Sequence, residues 1–235
     1  MNGMSFSNRQ EAGRRLAEAL EPYRASKPIV LALPRGGVPV AAEVANALGA
    51  PLDLLIVRKI GVPGQPELAA GAVVDANDPI VVRNENVIRL AEVSEAEFER
   101  VKTAEISEIR RRRALYLGNR SHPELGGRVV IVIDDGIATG ATIRAALLAL
   151  RKREPRLVVL AVPVAPTDTI DALRGEADRV ECLEAHERFG AIGHYYSDFH
   201  QVSDDEVIGL LAGTTAKDYA TSASPEKSDS ARSRD

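Results

Sequence analysis

The stretch Val129-Val130-Ile131-Val132-Ile133-Asp134-Asp135-Gly136-Ile137-Ala138-Thr139-Gly140-Ala141-Thr142 constrains this chain more than any other. Its first five residues are all β-branched, and a short strand apolar on both faces belongs in the middle of a parallel sheet. Two carboxylates stand at its carboxyl end, where open α/β sheets place their ligands. A loop of small residues follows, and Ile143 to Leu150 then reads as a helix. Backbone N–H groups in such a loop, at a helix N-terminus, form an anion site, to which Thr139 and Thr142 add hydroxyl donors.

Adjacent carboxylates about one helical turn from a phosphate cradle suit a ligand with vicinal hydroxyls or a magnesium at one end and a phosphate at the other. A ribose 5-phosphate has that shape. The residues closely resemble the binding motif of type I phosphoribosyltransferases: apolar strand, two acidic residues, two or three variable positions, then Thr-Gly-x-Thr. The resemblance implies that Asp134 and Asp135 lie along the ribose hydroxyls and the metal side of phosphoribosyl pyrophosphate. It implies Mg2+ as cofactor, met by Asp134 and Asp135 through water, and a 5-phosphate held by Ala138, Thr139, Gly140, Ala141 and Thr142. Competing readings of Asp134-Asp135 are weaker. A receiver domain carries its acidic pair near the start of the chain, and a Walker B strand needs an upstream G-x-x-x-x-G-K-[ST], which is absent here. A merely structural pair capping the next helix is the remaining alternative.

At 235 residues, the chain can form one α/β domain with a sizeable core and a smaller appendage. Net charge is −4, so nucleic acid is not expected as the main partner. The single cysteine, Cys182, excludes an internal disulfide and fits a reducing cytosol. The start, Met1 to Ser5, is polar and no apolar run approaches the ~20 residues of a membrane helix, so a cytoplasmic protein is expected.

Ser7-Asn8-Arg9-Gln10 is a candidate capping box, with Ser7 as N-cap. The helix behind it, roughly Arg9 to Glu21, is read as packing only. Ile29 to Leu33 is a buried strand running into Pro34-Arg35-Gly36-Gly37, and Val38 to Leu48 is a helix ended by Gly49. Strand, Gly-rich turn and helix again make anion-site geometry, in which Arg35 can grip phosphate oxygens bidentately. The turn is similar to the pyrophosphate loop of the same transferases. That likeness implies pyrophosphate contacts from Arg35, Gly36 and Gly37, and a cis peptide near Arg35.

Leu54 to Val57 reads as a second strand ending in Arg58-Lys59, a basic pair pointing into the same crevice. The pair looks like the one preceding the mobile loop of orotate-type members, which makes Gly61 to Leu68 a candidate lid; an ordinary exposed connection is the alternative. Ala70 to Val74 and Ile80 to Val82 can form a hairpin. A second capping box, Ser94 to Glu97, opens a helical pattern to about Leu117. Arg110 to Arg113 near its end form either a solvated helix face, the stronger reading, or a nucleic-acid patch.

After the central motif, Leu157 to Val162 is a buried strand, Asp168 to Leu173 a short helix and Arg179 to Leu183 a last strand. Phe189 to Phe199 then holds four of the chain's nine aromatic residues. The segment is similar to the hood of purine-type phosphoribosyltransferases, in which case Phe189 stacks on the base; an aromatic cluster sealing the core would look the same. His194 reads as a surface or packing histidine. Ser203 to Glu206 caps a last helix to about Leu211.

The expected fold is α/β, a Rossmann-like mostly parallel sheet flanked by helices, with a helical insertion and a small hood. Residues 1–69 and 121–183 would form the core, 70–120 the insertion, 184–212 the hood and 213–235 a disordered tail. The resemblance implies a Mg-dependent phosphoribosyltransferase acting on phosphoribosyl pyrophosphate and a small base acceptor, with Arg35, Arg58 and Lys59 neutralising the leaving group; a homodimer is one expectation. Enzymes acting on 6-oxopurines usually have an acidic residue where this chain has Ala138, and a lysine near Pro163 to Pro166. Ala138 looks more like the adenine-type loop, where a lid glutamate assists, and Glu67 is the candidate. The alternative function is a non-catalytic sensor of phosphoribosyl pyrophosphate. A hydrolase would need a water-activating base that the sequence does not offer.

Overall fold

The apolar run Val129–Ile133 sits where its two-sided character demands, at the centre of a five-stranded parallel sheet. In this computed structural model the described residues are 5–214. Most of the expected tail, residues 215–235, lies outside them.

The parallel sheet is built from β1 (Ile29–Ala32), β2 (Leu52–Leu54), β6 (Val129–Ile133), β7 (Leu157–Pro166) and β8 (Arg179–His186), in the order β2-β1-β6-β7-β8. Period-two alternation divides its side chains between two cores. Val30, Ala32, Val129, Ile131 and Ile133 face one cluster with α1 (Arg9–Leu20), α2 (Gly37–Leu48) and α7 (Asp204–Thr214). Ile29, Leu31, Val130 and Val132 face the other, with α5 (Ala141–Arg151) and α6 (Thr167–Leu173). Both faces being covered, the strands can be apolar throughout.

Counted among parallel strands alone, the order is the doubly wound 2-1-3-4-5. Its direction reverses between β1 and β6, and the crevice outside the strand ends at such a switch point is where ligands sit. Leu33 N–H donates to Ile133 O at 2.9 Å, so the loops leaving the two strands start side by side.

The reading of Leu54 to Val57 as one strand is corrected. The chain leaves the parallel sheet at Leu54, and Val57 opens β3 (Val57–Val62) in a separate antiparallel sheet with β4 (Gln65–Val74) and β5 (Ile80–Arg83). A continuous apolar run cannot reveal that its backbone bonds change partners midway: Leu55 N–H donates to Ala32 O, whereas Ile56 O accepts from Asp75 N–H. Arg58 and Lys59 therefore lie in an antiparallel hairpin, not at the end of a parallel strand. The candidate lid, Gly61 to Leu68, is that hairpin's bulged tip, turning at Pro63-Gly64. The expected hairpin of Ala70 to Val74 with Ile80 to Val82 is present, with Val74 opposite Ile80.

Helix α3 (Glu85–Leu90) leads to α4 (Glu95–Leu117), whose capping box joins Ser94 and Glu97 reciprocally. For α1 the cap is Asn8 rather than Ser7; Asn8 Oδ1 accepts from Glu11 N–H at 2.8 Å. After β8, the chain passes a 3-10 turn (Ile192–Tyr195) and returns to the N-terminus, where Phe6 and Tyr196 form a parallel bridge. N-terminal and C-terminal segments thus close together over the strand ends.

Candidate active site

The acidic pair follows β6 directly. Asp134 is partly exposed, and its Oδ1 accepts from Asp135 N–H at 2.9 Å. Burial and the adjacent Asp135 charge push its carboxyl well above the usual carboxylate range. Asp135 is buried and is also raised by burial, against the pull of Arg9. Arg9 Nε donates to Asp135 Oδ2 at 2.7 Å across 126 positions of sequence.

The Pro34-Arg35-Gly36-Gly37 turn lies against these carboxylates. The Pro34–Arg35 peptide is cis, as expected. A β-carbon on Gly37 would lie 2.7 Å from Ile133 O and 2.9 Å from Asp134 Cα. Only glycines allow this approach. Arg35 reaches beyond the turn, with Nη1 3.6 Å from Asp204 Oδ1, and Tyr116 holds that same oxygen through a 2.7 Å hydrogen bond. Arg9, Arg35, Gly36, Asp135 and Phe199 share a cleft of about 380 Å³.

Gly140, left-handed at φ 73°, precedes α5, and no side chain caps the helix. Its first amides have no partner within the helix, which is the condition for an anion site. Thr139, Ala141 and Thr142 are exposed around it, and Ala138 O accepts from Thr169 Oγ1 at 3.2 Å. Acidic pair and glycine turn thus pack on one another, and the threonine loop follows the pair at the same end of β6.

Arg58, Lys59 and Glu67 are not brought to it. They line a second cleft of about 470 Å³ between the hairpin and α4. Arg58 Nε pairs with Glu105 at 2.7 Å, and Lys59 Nζ with the exposed Glu67 at 3.0 Å. Phe189 stacks on Tyr195, with ring centroids 5.0 Å apart. Of the four arginines, Arg111 and Arg112 bond Glu108, and Arg113 bonds Asp75. That leaves little of a free basic patch.

Reading α1 as packing only overlooks Arg9, and Tyr196 is likewise a site residue the sequence reading misses. Tyr196 Oη donates to Asp135 O at 2.6 Å. One signal for Arg9 is present in the sequence: a cation in the first turn of a helix opposes the macrodipole and needs another reason to be there.

Among the described residues no group of three or more His, Cys, Asp or Glu side chains can hold a metal. The donor set here, a partly exposed Asp134 beside an anion cradle, fits a hard cation that also binds ligand oxygens and water.

Residues 7–200 match the phosphoribosyl transferase domain family. Two proteins from Mycobacterium tuberculosis strains, "Putative phosphoribosyl transferase MT0597" and "Putative phosphoribosyl transferase Rv0571c", are each 45% identical over 206 residues. The matches cover 88% of this chain and 46% of each relative, so the chain spans about half their length. The crystal structure of TT1426 from Thermus thermophilus is 40% identical, with a TM-score of 0.79, and the match covers 90% of this chain and 100% of that one.

Proposed function

The chain belongs to the phosphoribosyl transferase domain family, and on that premise we propose that it moves the 5-phosphoribosyl group of phosphoribosyl pyrophosphate to a nitrogenous base or related acceptor, releasing pyrophosphate. The observation that carries this reading is the meeting of the Arg35-Gly36-Gly37 turn with Asp134-Asp135 at the switch point between β1 and β6.

In this reading the amides and hydroxyls of Ala138 to Thr142 hold the 5-phosphate. Asp134 accepts from the ribose hydroxyls, and Arg35 with the Gly36 and Gly37 amides binds the diphosphate. Asp134 would hold a bound Mg2+ through water, and the ion would supply charge neutralisation for the leaving diphosphate. As the bond from the anomeric carbon to pyrophosphate breaks, positive charge develops on the ribose and negative charge on the leaving group. The chain's part is to hold both ends and stabilise the departing charge. Arg58 and Lys59 join by movement of the β3–β4 hairpin, which exchanges Glu105 and Glu67 for diphosphate oxygens and excludes water. That exchange frees Glu67 to assist a proton on the acceptor. Phe189 and Tyr195 offer the acceptor an aromatic wall.

Pyrophosphate release, measured with phosphoribosyl pyrophosphate, Mg2+ and a panel of purine, pyrimidine and pyridine bases, tests the proposal. Release with at least one base, lost in Asp134→Asn, is expected. Tight binding of phosphoribosyl pyrophosphate with no release for any base would favour the non-catalytic sensor instead.

A further inference from the structure

The two acidic residues of the central motif are not equivalent in their surroundings. Asp135 lines the cleft but is held in place from several directions. Its Oδ2 takes the Arg9 Nε bond, and the two side chains are only 10% and 7% exposed. Arg9 is itself fixed: Nη1 donates to His200 O at 2.8 Å, and the guanidinium lies over the Phe199 ring, 3.8 Å from its centroid. Tyr196 Oη holds the Asp135 backbone carbonyl from the same side. Gly36 packs directly against the carboxylate, since a β-carbon there would collide with Oδ2. Asp134 makes no ion pair among the described contacts, remains partly exposed, and its Oδ1 is engaged only by the next backbone amide.

We propose that Arg9 is a positioning residue that holds Asp135 as a fixed wall beneath the glycine turn, leaving Asp134 as the single carboxylate of the pair presented to ligand. The inference rests on the phosphoribosyl pyrophosphate reading of the site. Its physical content is twofold. Arg9 cancels one of two adjacent negative charges, so an arriving diphosphate meets one net negative charge instead of two. It also prevents a buried, uncompensated carboxylate from pushing away Asp134 or the Gly36-Gly37 turn. Residues 5–9 and 195–200 then belong to the sugar-phosphate site through their hold on Asp135.

A charge-removal cycle separates this role from general stability. Binding of phosphoribosyl pyrophosphate with Mg2+ is titrated calorimetrically into wild type, Asp134→Asn, Asp135→Asn, Arg9→Gln, Arg9→Lys and the Arg9→Gln/Asp135→Asn double variant, with melting temperatures as the folding control. Asp134→Asn should weaken binding by about a hundredfold and Arg9→Gln by about tenfold, as expected for an unpaired buried charge. Arg9→Lys should retain part of the affinity. The double variant should bind better than Arg9→Gln alone, because no buried charge is left to compensate. A double variant weaker than Arg9→Gln, or an Asp135→Asn loss equal to that of Asp134→Asn, would overturn the proposal. Carbodiimide labelling without ligand gives an independent readout: Asp134 should be labelled and Asp135 protected in wild type, with Asp135 labelled in Arg9→Gln. If wild type binds no phosphoribosyl pyrophosphate, the functional reading fails, while the labelling pattern still decides whether Arg9 shields Asp135. Equal labelling of both aspartates in wild type would refute it.

Discussion

Gly36 and Asp135 belong to loops about a hundred positions apart, yet a β-carbon on Gly36 would lie 2.7 Å from Asp135 Cγ. The glycine turn and the acidic pair are therefore one packed unit, and any side chain at position 36 must separate them. Gly36→Ala should cost about 1–3 kcal/mol of stability, in the range of core overpacking, and weaken phosphoribosyl pyrophosphate binding. Urea unfolding and calorimetry check both. Unchanged stability and affinity would show that the turn can move aside freely.

Tyr196 ties Asp135 through its backbone, and its own hydroxyl is raised in pKa by burial and the Asp135 charge. Tyr196→Phe keeps the ring packed against Phe6 and removes only the hydroxyl. A loss of about 1–2 kcal/mol in denaturant unfolding is expected, because a buried carbonyl loses its donor.

The hairpin cations test the mechanism at a distance from the acidic pair. If Lys59 leaves Glu67 for the diphosphate only as the reaction proceeds, Lys59→Met should lower kcat about 10²-fold, or ~3 kcal/mol of barrier, with little change in ligand binding. Steady-state kinetics with binding measured separately checks this. An unchanged kcat would leave the hairpin as structure alone.

Asp53 in β2 predicts a pH effect on folding. It is 1% exposed, no side chain among the described residues donates a hydrogen bond to it, and Arg113 Nη2 stands 4.0 Å away. Burial raises its pKa more than Arg113 lowers it. The folded state thus holds this proton more tightly than the unfolded chain, and stability contributed by Asp53 falls as pH rises from the ordinary aspartate range through the raised value. Asp53→Asn should therefore gain on wild type in urea midpoint from about pH 4 upward, levelling once Asp53 is ionised. A difference independent of pH would contradict this assignment.

Legibility followed sequence separation. The strand Val129–Ile133, its two carboxylates and the threonine loop form one local run, and the doubly apolar pattern sufficed to place them centrally in a covered parallel sheet. The glycine turn after β1 was readable for the same reason. Arg9 was not, because its partner is 126 residues away and its helix looks like ordinary packing apart from the misplaced charge. The jump of Val57 into a second sheet was hidden because Leu54 to Val57 is apolar throughout, and periodicity cannot say which neighbour accepts each backbone bond. Pro63-Gly64 between two β-prone runs was the available hairpin signal.

In the proposed function, the crevice between β1 and β6 binds phosphoribosyl pyrophosphate through its acidic pair. Calorimetric titration of that compound with Mg2+ into wild type and the Asp134→Asn/Asp135→Asn variant tests it most directly. Micromolar-range binding to wild type and none to the folded variant are expected. Absence of binding to folded wild type would contradict it, and the acidic pair and threonine loop would then have to serve a different phosphate ligand.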